Sequence, residues 1–453
     1  MRRSAALAAG ALAVAVVVTA SACAPGGTSD EAAEETGAVA TDPAEIGEVT
    51  VTVLDTFVDT ASPIGRWMVK VVDAFEAEYP DITIERQSEA ATDVNATLRL
   101  RLSEDSTPDI VPANQGWSGV GDLAASGLLA NLDDYAEAYD WRQRLPETIL
   151  QQSMVTPEGT EIGQGSQFGL PINQGAFITV FYNRALLDGL GLEPPATFGE
   201  FEDSLAAAAA AGITPIQLGT QDGWSSTALL LAVQAALAEG TSVADLVFSD
   251  GGADAAGTAL TEAAATYDEW RRAGWFPADF VGVPSGDANQ KFVDGEGLYY
   301  FWYSGFLPFA DQAHADEFGQ FILPREDGGP LTAVGASSQN FSVAERSDAK
   351  DAAALFLDFM ASDAAGEFAM EESIIPMFGS FEPGTGSAML DDGLVELATI
   401  TENNGYVPYL DWTTPAMLDV LTQNLQLMFD GQVTPDDVTA AVQAEYDQFT
   451  AEG

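Results

Sequence analysis

Residues 169–201 narrow the possible folds more than any other stretch of this 453-residue chain. Gly169, Leu170 and Pro171 mark a turn. Residues 176–182 (Ala-Phe-Ile-Thr-Val-Phe-Tyr) are β-branched, aromatic and uncharged, the pattern of one buried strand. A short helical segment then closes at Gly189 and Gly191. Pro194 and Pro195 exclude helix, and Thr197-Phe198-Gly199-Glu200 reads as a capping box opening the next one.

The N-terminal part has a similar rhythm. Val49, Val51 and Val53 alternate with Thr50 and Thr52, so this is a strand. Ile64, Trp67, Met68, Val71, Val72, Phe75 and Tyr79 recur every three or four positions, one apolar face of a helix that Pro80 ends. Ile82 and Ile84 alternate as a second strand. Val94, Leu98 and Leu102 line a second helix, and residues 108–111 start a third strand. This β-α-β-α-β order predicts a parallel sheet with helices on its faces. Ligands on such sheets collect at the carboxyl ends of strands. Two segments fall there: residues 55–59, and Asn114-Gln115-Gly116-Trp117. Asn114, Gln115 and Trp117 set amides beside an aromatic face, a pairing that suits sugar hydroxyls and C–H faces. Trp117 either meets such a ligand or packs under the following helix.

The chain is too long for one compact core and suits two domains. It carries 16 Lys+Arg against 70 Asp+Glu, a formal charge of -54. That argues against nucleic acid and anionic membrane as partners, because both need basic patches. The acid excess reads either as adaptation to high salt, where screening removes the repulsion, or as compositional drift. Cys23 is the one cysteine, so no intramolecular disulfide forms, and the one histidine, His314, argues against His-based catalysis. No metal site and no cofactor are expected. Arg2 and Arg3 precede an apolar run, residues 5–20, which reads as a secretory signal peptide over residues 1–22. Ala20-Ser21-Ala22-Cys23 resembles a bacterial lipobox, with Ala in place of the usual leading Leu. The resemblance implies a diacylglyceryl group on the Cys23 thiol and a lipid anchor on the outer face of the cell membrane. A plain secretion signal cut near Ala22 is the other reading. Residues 23–48 read as a disordered acidic tether, a coil spanning roughly 25–30 Å.

Gly169, Leu170, Pro171, Tyr182, Asn183, Leu186, Gly191, Pro195, Thr197, Glu200 and Phe201 together resemble the inter-lobe crossing of extracellular solute-binding proteins of ABC importers, the sugar-binding group related to maltose-binding protein. Phe75, Tyr79, Pro80, Ile82, Ile84 and then Pro108, Asp109 and Ile110 match that family's opening. The resemblance implies an α/β, periplasmic-binding-protein-like fold: two lobes, each a central sheet flanked by helices, joined by hinge crossings. The first lobe would comprise residues 49–170 and 335–375, the second 171–334 and 376–453.

The same resemblance supplies further site candidates. Asn173 and Gln174 lie in the crossing itself. Gln221, Asp222 and Trp224 follow a short strand expected over residues 213–218 and match a family turn whose Trp often faces the cleft. Trp302, Tyr303 and Ser304 stand, one to three places out of register, where the family has Gly-x-Trp. Ser338 and Asn340 sit in the return crossing, residues 335–343. Asp411 and Trp412, with Tyr409, form a polar-aromatic loop ahead of a helix that Thr414 and Pro415 are expected to open.

The function implied is binding without chemistry. The protein would take a mono- or oligosaccharide in the inter-lobe cleft and deliver it, as a monomer, to ABC permease subunits. The acid excess admits a cationic solute instead, a polyamine or an amino sugar. Paired carboxylates such as Asp411 with Asp222 would suit a secreted glycosidase, a weaker signal in so acidic a chain. The sequence shows no Gly-x-Ser-x-Gly elbow with a plausible His, no phosphate-binding glycine loop and no Cys/His zinc spacing.

Overall fold

The computed structural model describes residues 39–104, 107–240, 242–248, 253–304 and 316–452. The signal peptide, Cys23, most of the tether, His314 and Gly305 lie outside them. In chain order the strands are β1 (Val49–Asp55), β2 (Ile82–Ser88), β3 (Ile110–Pro112), β4 (Met154–Val155), β5 (Ser166–Gln167), β6 (Leu170–Pro171), β7 (Gly175–Asn183), β8 (Tyr299–Tyr303), β9 (Phe318–Phe321), β10 (Ala333–Ser337), β11 (Asn340–Val343) and β12 (Tyr406–Val407). They form two mixed five-stranded sheets flanked by helices, plus the hairpin β4–β5.

The first sheet runs β2-β1-β3-β11-β6. β1 is parallel to β2 and β3, as the β-α-β-α-β order requires, and β11 lies antiparallel to β3 and β6. Helix Pro63–Glu78 starts where Ser62 accepts the Gly65 N–H and Pro63 sets the first turn. Its apolar face seals Trp67, Met68, Val71 and Phe75 into the first core. The Trp67 indole N–H donates to the Ala365 carbonyl at 2.8 Å, so the ring is buried without an orphaned donor.

β7 organises the second sheet. All nine of its residues are buried. β8 pairs along one edge; β10 and then β9 pair along the other. Thr197 accepts the Glu200 N–H at 3.1 Å, and Glu200 accepts from the Ala196 N–H at 2.8 Å, one residue before the usual return bond of a capping box. Helix Trp224–Leu237 is buried almost all round, which explains its run of Ala, Leu and Val without a polar face.

Some elements differ from expectation. Residues 213–218 make only a bridge, Ile216 to Tyr299, because Pro215 and the flanking loop leave no ladder to extend. The helix after Trp412 begins at Met417 rather than Pro415; Thr414 Oγ1 accepts the Ala416 N–H at 3.3 Å instead. Residues 43–46 are a helical turn capped by Asp42, and Val39 and Ile46 pack against the first core, so residues 39–48, expected within the disordered tether, are folded against it.

Among the described residues the chain passes between the sheets at three places that touch one another. β6 leads to β7 through residues 172–174, β10 leads to β11 through Ser338 and Gln339, and residues 374–387 lead to helix Ala388–Glu402. The Ser338 N–H donates to the Gln174 carbonyl at 2.8 Å, and the Gly175 N–H to the Ile375 carbonyl at 2.8 Å. Helix Ala388–Glu402 buries Leu390, Leu394, Leu397 and Ile400 in the first core, while Gln320 of β9 donates to its Met389 carbonyl at 2.7 Å.

Candidate functional site

A cavity of about 340 Å³ opens where strand ends and loops from both sheets meet. The loop after β3 supplies Asn114 and Gln115, β7 supplies Ala176, β8 ends in Trp302 and Tyr303, and β10 leads into Ser337 and Ser338. Trp224 comes from the first position of its helix. Tyr409, Asp411 and Trp412 come from the loop beyond β12.

Two glycines permit this convergence. Gly116 has φ +79°, and a Cβ there would fall 2.4 Å from the Trp412 Cβ, so the β3 loop can lie directly on the Trp412 backbone. Gly223 has φ +83°, and a Cβ would meet Thr422 at 2.5 Å, which lets the turn deliver Trp224. Trp224 remains 46% exposed with its ring at the cavity, an uncovered aromatic surface of the kind that marks binding.

The aromatic wall is continuous. Trp302 meets Tyr303 at 5.3 Å between ring centroids, Tyr303 meets Tyr409 at 6.2 Å, and Tyr409 meets Trp412 at 5.1 Å. The Tyr409 hydroxyl donates to the Ala176 carbonyl at 2.7 Å, which fixes the ring. Gln115 is buried and its Nε2 donates to the Ser337 carbonyl at 3.4 Å, whereas Asn114 is exposed at the rim. Asp411 is the one charged residue among the described residues of the wall. Burial raises its carboxyl to about 6, and no described Lys or Arg pairs with it. Burial also pushes the Tyr303 and Tyr409 hydroxyls up, Asp411 adding to both, so they stay neutral donors at physiological pH.

Of the residues named from sequence, Asn114, Gln115, Trp224, Trp302, Tyr303, Ser338, Asp411 and Trp412 line the cavity, with Tyr409. Seven others are not among its described lining. The Trp117 ring packs edge-on to Phe449 at 5.2 Å. Asn173 is fully buried: its Oδ1 accepts the Met377 and Phe378 N–H groups at 2.9 and 3.2 Å, and its Nδ2 donates to the Ser362 carbonyl at 3.0 Å. Gln174 is buried and accepts from the Ser338 hydroxyl. Asp222 caps helix Ser285–Val293 through the Ser285 N–H at 3.0 Å, leaving Gln221 exposed on the same turn. Ser304 Oγ accepts the Phe177 N–H at 3.3 Å. Asn340, also named, is buried and donates to Ser153. The other strand end, residues 55–59, is absent too: Asp55 is buried and paired with Arg86 at 2.8 Å. Ala176 and Ser337 line the cavity without having been singled out; Ser337 is signalled only by adjacency to Ser338.

Among the described residues no group of three or more His, Cys, Asp or Glu is placed to hold a metal. The wall therefore offers hydrogen-bonding groups and ring faces. Two helix-flanked sheets sharing such a cavity define a solute receptor of the periplasmic-binding-protein type. The chain belongs to the bacterial extracellular solute-binding protein family, whose model matches residues 60–367. Among curated proteins, a probable sugar-binding periplasmic protein of Rhizobium meliloti is 30% identical over 142 residues, 31% of this chain and 32% of the relative. One of the same description from Mesorhizobium japonicum is 28% identical over 106 residues, 23% and 24% of the two chains. The matches thus span about a quarter to a third of those relatives' length. A solved chitin oligosaccharide binding protein shares the fold with a TM-score of 0.72 at 23% identity, covering 89% of this chain and 99% of that one. A family 1 extracellular solute-binding protein from Bifidobacterium longum subsp. infantis gives a TM-score of 0.67 at 22% identity, covering 89% and 100%.

Proposed function

We propose that this protein is the sugar receptor of an ABC importer, holding a mono- or oligosaccharide in the 340 Å³ cavity and delivering it to a membrane permease. The observation that carries this is the wall: Trp224, Trp302 and Trp412 offer faces for sugar C–H groups, while Asn114, Ser338 and Asp411 offer partners for hydroxyls. The names of the curated relatives support the same ligand class. The two sheets act as lobes, divided as given from sequence except that helix Ala388–Glu402 packs on the first core, and close around the solute by bending at the three crossings. Cys23 carries the lipid anchor, and the chain works as a monomer without cofactor or catalysis. Asp222 is committed to capping, which removes the carboxylate that a glycosidase pair with Asp411 would need.

One observation favours a second ligand class. Asp411 is the single charge among the described residues of the wall and has no described cationic partner, which suits an ammonium group. A thermal-shift panel separates the two: neutral mono- and oligosaccharides on one arm, polyamines and amino sugars on the other. Stabilisation by neutral sugars is expected. Stabilisation by cations alone would overturn the sugar reading, and release of reducing ends from oligosaccharides would overturn binding without chemistry.

A further inference from the structure

The surfaces that join the two halves are not confined to the crossings and the ligand cavity. The hairpin β4–β5 hangs from the first-sheet side, where the Leu132 N–H donates to the Gln167 carbonyl at 2.8 Å. Its Val155 and Ile162 pack against Ala238, Val243, Val247 and Trp412 from the second-sheet side, in an apolar cluster separate from both main cores. At its edge Phe248 lies on Gly163. A Cβ built on Gly163 would fall 2.5 Å from two Phe248 ring carbons, and φ there is +87°, so glycine makes the approach possible.

Phe248 also lines a second cavity of about 540 Å³, which shares no described residue with the ligand cavity. The ring is half-buried, with protein beneath it and open volume beside it. It can therefore withdraw from Gly163 without unpacking a core. Trp412 belongs both to this cluster and to the ligand wall, so the two are mechanically continuous.

We infer that Gly163 and Phe248 form an apolar clasp that sets how readily the two halves close, and hence ligand affinity, without touching the ligand. The inference rests on the receptor reading above. Clasp contacts exist only when the hairpin meets the helix Ser242–Val247 and its C-terminal Phe248; opening would expose Val155, Ile162, Val243 and Val247 to water. Burial there favours the closed form before any solute arrives. Apparent affinity scales with the fraction of receptor that is competent to close, so loosening the clasp weakens every ligand by the same factor.

The test is Phe248→Ala, with Phe248→Leu as a milder partner, in the full chain. Dissociation constants are measured for each sugar that stabilises the wild type, and small-angle X-ray scattering is recorded without ligand. Phe248→Ala is expected to weaken all sugars by roughly tenfold with their ranking unchanged, and to enlarge the ligand-free radius of gyration. Phe248→Leu is expected to fall between. Unchanged affinity and scattering, or a reordered ranking, would overturn the clasp. If Phe248→Ala does not fold by circular dichroism, Phe248→Leu alone decides on the same readouts. If the wild type binds no sugar, the receptor reading fails, while ligand-free scattering still judges the clasp: an unchanged radius sinks it.

Discussion

Replacing Asp411 by Asn should stabilise the ligand-free protein at neutral pH and weaken sugar binding. The carboxyl titrates at about 6 against an ordinary 3.8, and burial is the main cause. A carboxyl raised in the folded state favours folding in its neutral form. That contribution is full below the unfolded value near 3.8 and is lost as pH rises through about 6. At pH 7.5 the folded wild type therefore carries a penalty of about 3 kcal/mol at most, the cost of moving this one carboxyl from 3.8 to about 6. A folded body of about 400 residues unfolds with an entropy of about 0.8 kcal/mol/K, so removing the penalty raises Tm by about 4 °C at most. Differential scanning calorimetry of wild type and Asp411→Asn from pH 4 to 8 reads this directly. The gap should be near zero at pH 4, widen to pH 6 and stay level above it. Sugar hydroxyls that donate to the carboxylate lower its pKa on binding, so wild-type affinity should fall as pH drops below 6, whereas that of Asp411→Asn should be weaker and flat. A variant that melts below the wild type at pH 7.5, or a gap independent of pH, would refute the reasoning.

Other outcomes follow from the same geometry. Trp224→Ala should leave Tm within about 1 °C, because half the ring is already in water, yet weaken sugar binding by roughly tenfold or more, as read by calorimetric titration. Asn173→Ala should lower stability by about 1–3 kcal/mol in denaturant unfolding, because it leaves the buried Met377 and Phe378 N–H groups without their acceptor. Glu396 is buried, accepts from the Ile322 N–H and is raised well above the ordinary carboxylate range by burial. Its neutral form supports the fold below its ordinary pKa, and that support is lost as pH rises through the raised value. Glu396→Gln should therefore gain Tm over the wild type as pH is raised, and a gap that shrinks with pH would contradict this.

The fold was legible where local pattern and burial coincide. β7 reads as a buried strand because all its residues are apolar or small enough to bury, and helix Pro63–Glu78 reads from an apolar face that Pro80 ends. The short strand expected at 213–218 failed because Pro215 and the loop around it leave only a lone bridge. The site was half legible for a related reason. Trp117 and Trp224 both follow a polar loop and open a helical segment. What separates them is Phe449, which covers one ring from the far end of the chain. Asn173 looked like a ligand amide because its true partners, Met377 and Phe378, lie more than 200 residues away. Asp222 likewise finds Ser285 only in three dimensions. Polar side chains near a cavity look alike in sequence whether they face a solute or fasten the backbone behind it.

The three laced passages between the sheets also bear on how the molecule breaks. Asn173 ties the first passage to the third, and Gln174 and Ser338 tie the first to the second. A single proteolytic nick in the exposed stretch around residues 380–386 would leave two intact connections and the bonds among them. The two fragments should then travel together through a sizing column and separate only in denaturant.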